Sequence, residues 1–204
     1  PSFETARYMV DLCRNAGVRL YIHENYRWQA PSRRSTQLMD SGVIGRPFKA
    51  RVSFLSGFPV FDNQPFLAEL DKFILTDMGS HILDVTRYLF GEAKTLWCQT
   101  LSVNPGIRGE DVATVMLSMK SGMPVYCEMS YASVVEFDSF STVFILVEGE
   151  KGSLWLGPGF EIRTTTRTGT VSEKVEFPAY PWADPDYIVN HESGIPISRN
   201  ILSD

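Results

Sequence analysis

The residues best suited to chemistry lie in one stretch, Asp77-Met-Gly-Ser-His-Ile-Leu-Asp-Val-Thr-Arg-Tyr-Leu-Phe. Asp77, His81, Asp84 and Tyr88 recur at i, i+4, i+7 and i+11, which places them on one stripe of a helix over 77–90. Met78, Ile82, Val85 and Leu89 form the neighbouring stripe and must face a core, so the ionisable stripe borders packed surface. An imidazole one turn from a carboxylate is the minimal kit for moving a proton near neutral pH. Gly79 costs such a helix about 1 kcal/mol against alanine, which suggests that something approaches its backbone. Other readings stand beside this one. Asp77 can serve as a simple N-cap and His81 as a half-buried, satisfied histidine. Asp77, His81 and Asp84 could also ligate a metal, but no further His or Cys pattern supports that and no metal is expected. Tyr88 reads as packing, and Arg87 and Glu92 as solvated.

A second cluster is His23-Glu24-Asn25-Tyr26-Arg27-Trp28-Gln29, directly after the strand-like run Val18–His23. Ligands of open α/β sheets gather at the carboxyl ends of strands. Amide, guanidinium and carboxylate groups with two aromatic rings suit a polyhydroxylated ligand, the rings covering apolar sugar faces. The competing reading is an inter-domain linker whose Trp28 packs and whose charges are solvated.

The elements that must position these groups follow from periodicity and punctuation. Apolar Ala6, Met9, Val10, Cys13 and Ala16 predict a one-sided helix over 3–16, capped by Ser2 and stopped by Gly17. With the strand 18–23 it reads as the last αβ step of a doubly wound domain, too little to bury a core alone, so the chain is expected to be part of something longer. Ser35–Ser41 reads as the end of a short helix, 46–56 as a strand, and 57–76 as a long connection. Strands are then expected near 94–103, 111–120, 123–133, 141–148, 153–157, 160–166 and 170–177, separated by glycine-bearing turns as in an antiparallel meander. Strands 111–120 and 141–148 carry apolar residues on both faces: Val115 and Leu117 against Met116, Ile145 and Val147 against Phe144 and Leu146. Helix 77–90 can cover only one face, so a second copy of the chain is the expected cover of the other. The proline-rich Pro178–Tyr187 reads as a rigid surface segment.

Composition sets the outer bounds. The 204 residues are 44% hydrophobic and 21% charged, values of an ordinary globular chain. No apolar run approaches the ~18 residues of a membrane span, and the first residues resemble no signal peptide. Nineteen basic against 24 acidic residues, with no basic patch, argue against nucleic acid as a partner. Cys13, Cys98 and Cys127 are far apart and sit in apolar-patterned segments, which reads as reduced core thiols of a cytoplasmic protein. No G-x-G-x-x-G opens a helix after a strand, and no phosphate loop, G-x-S-x-G or H-E-x-x-H occurs.

With these residues in view, the chain resembles the second half of the glucose–fructose oxidoreductase / inositol dehydrogenase / MocA family. The resemblance rests on Asn25-Tyr26-Arg27 after Gly17–Leu20, and on Asp77-Met-Gly-Ser-His81-Ile-Leu-Asp84 followed by Gly91. Further along come Glu110-Asp111-Val-Ala-Thr and Val147-Glu-Gly149-Glu-Lys-Gly152. The resemblance implies an α+β fold: an open, predominantly antiparallel sheet packed by helices on one face, like the C-terminal domain of dihydrodipicolinate reductase. It implies residues 1–23 as the remnant of a Rossmann domain and 24–204 as the substrate-binding and oligomerisation domain, a homodimer or tetramer through the sheet. It further implies NAD or NADP as cofactor in the full-length protein and a sugar, polyol or related alcohol as substrate. His81 and Asp77 would be catalytic, Asn25, Arg27, Trp28 and Asp84 would bind substrate, and Glu24 would contact the cofactor. The family's catalytic lysine, in a Glu-Lys-Pro turn, would lie upstream of Pro1. Asp71–Thr76 departs from the glycine run that often precedes the motif. Two alternatives remain at this point: a non-catalytic scaffold of the same fold, and an NAD-dependent glycosidase.

Overall fold

The computed structural model describes residues 2–22, 24–136 and 143–176. His23 and Pro178–Tyr187 lie outside them. The described chain builds one eight-stranded sheet in the order β2-β3-β4-β1-β5-β6-β7-β8. The strands are β1 (Pro47–Leu55), β2 (Ala93–Leu101), β3 (Val112–Met119) and β4 (Pro124–Ser130), then β5 (Phe144–Gly149), β6 (Gly152–Leu156), β7 (Glu161–Thr166) and β8 (Gly169–Lys174). Each expected strand from 46 onward is present, its ends within a few residues.

The order departs from a simple meander. β1 lies between β4 and β5, parallel to the first and antiparallel to the second. Every other pairing is antiparallel, so the open, predominantly antiparallel α+β class holds. The reason is local. A tight turn forces consecutive strands to pair, but β4 and β5 are separated by residues 131–143, long enough for another strand to enter. β1 takes that central place because Ala50, Val52 and Phe54 are buried on the helix side and Ser53 on the other.

Helices α1 (Phe3–Asn15), α2 (Ala30–Asp40), α3 (Val60–Asn63) and α4 (Ile74–Phe90) complete the described elements, with 3₁₀ turns at Tyr26–Trp28, Pro65–Glu69 and Pro158–Phe160. Ser2 caps α1 through its hydroxyl, accepting from the Thr5 N–H at 3.2 Å, and Gly17 follows at φ +68°, as expected. α4 packs on β1, β3 and β4. Its Met78, Ile82 and Val85 join Val52, Phe54, Val115, Leu117, Val125, Cys127, Ile145 and Leu154 in a single core. That apolar stripe is the one the i, i+4, i+7 spacing marks out. Among the described residues no helix is long and apolar enough to cross a membrane.

Three expectations need correction. Val18–Ile22 forms no strand. These residues have no ladder partner among the described ones, and Tyr21 and Ile22 are more than three-quarters exposed. Cys127 is buried, but Cys98 is exposed and Cys13 only partly covered, so they are not all core thiols. The sheet order explains Cys98: β2 is an edge strand that reaches beyond the cover of α4. Helix α4 begins three residues before Asp77, with Phe73 at the cap position, so Asp77 is not the N-cap.

Candidate active site

The N-terminus of α4 is fixed from outside the helix. The Glu110 carbonyl accepts from the Ile74 N–H at 3.0 Å, and its carboxylate accepts from the Leu75 N–H at 3.2 Å. A carboxylate at a helix N-terminus also meets the positive end of the backbone dipole. This approach needs Gly109, since a Cβ there would sit 2.7 Å from the Leu70 carbonyl oxygen and 2.8 Å from the Phe73 nitrogen. Asp111, almost wholly buried, holds the same loop by accepting from the Val103 and Asn104 N–H groups at 2.7 and 3.0 Å. The Glu110-Asp111 pair thus sets where α4 starts and where its polar stripe points.

Residues 24–28 lie along that stripe. The His81 Nδ1 is 2.8 Å from the Glu24 Oε1, which also accepts from the Tyr26 N–H at 3.1 Å. The Tyr26 ring stacks on the imidazole, centroids 4.3 Å apart and planes at 14°. One turn on, Arg27 grips Asp84 in a bidentate pair, Nε donating to Oδ2 at 2.5 Å and Nη2 donating to Oδ1. Arg27 also lies over the Tyr88 ring, with Trp28 tilted against the same ring. On the other side of His81, the Tyr131 hydroxyl donates to the Asp77 Oδ2 at 2.9 Å. Tyr131 follows β4, and its ring stacks on Phe73 and meets Phe54 edge-on.

The structure therefore brings Asp77, His81, Asp84, Glu24, Arg27 and Trp28 onto one face. Glu24, expected at the cofactor, is hydrogen-bonded to His81, and Arg27 and Asp84 are paired with each other. The Asn25 side chain makes no capping bond, and Trp28 is 59% exposed. Tyr26 belongs to the 24–28 cluster that the sequence marks out, although its stack on His81 is not legible there; Tyr131 carries no signal in the sequence. Gly79 is buried, but an added Cβ would meet only the Leu75 side chain and the Ile74 carbonyl oxygen, both at ordinary contact distance, so no described residue requires glycine there. Among the described residues no three His, Cys, Asp or Glu side chains cluster to hold a metal.

Burial favours the neutral form of Glu24. The hydrogen bond and charge of His81, with the Tyr26 N–H and Arg27, outweigh it and hold its carboxyl below the usual range. Asp77 goes the other way. Its burial raises the carboxyl above its ordinary value despite the Tyr131 hydrogen bond and the attraction of His81. Tyr26 and Tyr131 are both pushed well up, first by burial and then by the Asp77 charge. A phenol raised in the folded state contributes stability that is complete below its unfolded value of about 10 and is lost as pH climbs beyond it. Alkaline titration of the full-length protein should show phenolate absorbance rising in two stages, the second coincident with unfolding. Tyr131→Phe should remove one tyrosine from that second stage; removal from the first would contradict the burial.

A ring nitrogen beside a bound carboxylate, with a second, half-buried carboxyl one turn away, can move a proton to or from an alcohol. The N-terminus of α4 is taken by the Glu110 carboxylate and that of α1 by the Ser2 hydroxyl, so neither of these two helix ends offers a pyrophosphate cradle.

Comparisons with known proteins agree with this architecture. The GFO/IDH/MocA C-terminal domain pattern matches residues 32–155. The chain is 37% identical over 199 residues to a D-apiose dehydrogenase of Rhizobium rhizogenes, covering 98% of this chain and 58% of the relative. It is 40% identical over 198 residues to a D-apiose dehydrogenase of Paraburkholderia graminis, covering 97% of this chain and 53% of the relative. The chain thus spans little more than half the length of these curated relatives. An oxidoreductase from Agrobacterium radiobacter, solved in complex with NAD+, L-tartaric acid and magnesium, superposes with a TM-score of 0.86 at 38% identity, over 94% of this chain and 56% of that one. The match across 32–155, on a sheet and helix arranged as described, places the chain in the GFO/IDH/MocA C-terminal domain family.

Proposed function

We propose that this chain is the substrate-binding and oligomerisation half of an NAD(P)-dependent oxidoreductase acting on a sugar, polyol or related neutral alcohol. The carrying observation is the partly exposed His81 imidazole, held on one side and flanked by Asp77, at the edge of the core. The D-apiose dehydrogenases at 37% and 40% identity support the substrate class. The NAD+ complex of the oxidoreductase at 38% identity supports the cofactor.

In the oxidative direction, the His81 Nε2 takes the hydroxyl proton as the C–O bond gains double-bond character, and it returns that proton on reduction. Asp77, held by Tyr131, orients the hydroxyl or the imidazolium that forms. A nicotinamide cofactor, when bound, supplies the hydride acceptor or donor for the same carbon. No described residue is assigned to its phosphates. Trp28 and Asn25 are the side chains left to meet the substrate, while Arg27 and Asp84 clamp 24–28 to α4. The domain boundary falls at residues 23/24, where the chain passes from α1 and 18–22, whose large side chains are exposed, to residues packed on the sheet domain.

The test is turnover by the full-length protein against a panel of neutral sugars and polyols with NAD+ and NADP+. Nicotinamide reduction matched by a carbonyl product is the expected result, with this chain alone as the inactive control. Release of nitrophenol from nitrophenyl glycosides without net nicotinamide reduction would replace the dehydrogenase with a glycosidase.

A further inference from the structure

We propose that Glu24 is the positioning residue that fixes His81 in the tautomer protonated at Nδ1, leaving Nε2 as the proton-accepting atom. The inference rests on the reading of His81 as the acid–base group. An ionised carboxylate can only accept hydrogen bonds, so the nitrogen 2.8 Å from Glu24 Oε1 must carry the proton. The same oxygen accepts from the Tyr26 N–H, which prevents the carboxylate from swinging away. Tyr26, stacked nearly parallel on the imidazole, blocks rotation of the ring about its own axis. Arg27 and Asp84 then lock the segment one turn further along α4. Nε2 makes no hydrogen bond among the described residues, and the His81 side chain is 27% exposed.

The other charged and titratable groups around the ring cannot fill this role. Asp77, on the same helix, is engaged by Tyr131, and Asp84 by Arg27. Tyr26 presents its face, not its hydroxyl, to the imidazole. Among the described residues, Glu24 alone reaches a ring nitrogen. The pairing joins residues 57 positions apart, so it is a property of the fold and not of the helix motif. A base whose second nitrogen is held by a carboxylate has its tautomer set before substrate arrives, and the carboxylate stabilises the imidazolium that forms.

Nitrogen-15 NMR of the full-length protein, with His81 signals assigned by difference from His81→Ala, should show a protonated Nδ1 and a bare Nε2. Glu24→Leu should move the population toward the Nε2–H form and lower kcat about tenfold or more, with KM within about threefold. Glu24→Asp should restore part of both. A wild-type spectrum with the proton on Nε2, or full kcat in Glu24→Leu, overturns the proposal, and the first outcome does so even if the variants fail to fold. Full activity in His81→Ala would overturn the acid–base reading instead, while the tautomer spectrum would still decide the Glu24 contact.

Discussion

Replacing His81 by alanine in the full-length protein should lower kcat/KM for its best alcohol substrate by about 10²–10⁴-fold. At 1.36 kcal/mol per factor of ten, this equals about 3–5 kcal/mol of transition-state stabilisation. The loss should fall mainly on kcat, because the ring contributes a proton acceptor and little binding surface beyond the stack with Tyr26. Folding should survive, since the side chain is partly exposed and the core stripe of α4 lies on the adjacent face. Asp77→Asn keeps an acceptor for the Tyr131 hydroxyl at 2.9 Å and should cost less than His81→Ala. A His81→Ala enzyme within about threefold of wild type, under 1 kcal/mol, would remove the imidazole from the mechanism. Loss of turnover together with loss of the cooperative thermal transition would point to structure instead, and His81→Asn, which retains a donor toward Glu24, separates the two.

How much of this was legible beforehand depends on the range of the interactions. The i, i+4, i+7 spacing of Asp77, His81 and Asp84 is a local property of one helix, and the structure keeps all three on one face. The alternation of Val115, Leu117, Ile145 and Val147 with Met116, Phe144 and Leu146 likewise assigned side chains to faces, because the period-two geometry of a strand needs no tertiary information. The partners of those residues were not legible. Glu24 precedes and Arg27 lies within a single 3₁₀ turn with no periodicity, and their contacts with His81 and Asp84 arise only when that segment is laid along α4. The place of β1 is a competition between a hairpin and an intercalated strand, decided by the length of the 131–143 connection. The same order governs Cys98, whose segment is apolar enough for a core and yet ends at the edge of the sheet.

The face of the sheet opposite α4 carries the other large expected effect. The full-length protein should be a homo-oligomer closed through this face, and Leu146→Asp should return it to single chains. Strand register aligns Trp97, Met116, Tyr126, Arg51, Leu146, Trp155 and Arg163 in one row across seven strands. Trp97 is 52% exposed, Met116 43% and Tyr126 37%, and Phe144 flanks the row at Leu146. The charges in and beside the row are matched within the chain: Arg163 lies over the Trp155 ring at 4.9 Å, and Arg51 stands 3.8 Å from Glu128. Closing a second surface over them therefore strands no isolated charge of its own. A row of this width, apolar at most positions, exceeds what a monomer usually leaves in water. A two-fold copy is the simplest cover, because each apolar position then meets the same kind of surface. The side chains of β3, β4 and β1 toward α4 are filled by the core, so aspartate at Leu146 changes the open face without emptying a buried position. Light scattering of the full-length protein should give twice or four times the mass of one chain, and the mass of one chain for Leu146→Asp with an unchanged thermal transition. A wild-type mass of one chain, or a Leu146→Asp oligomer as large as wild type, would exclude this face as the contact.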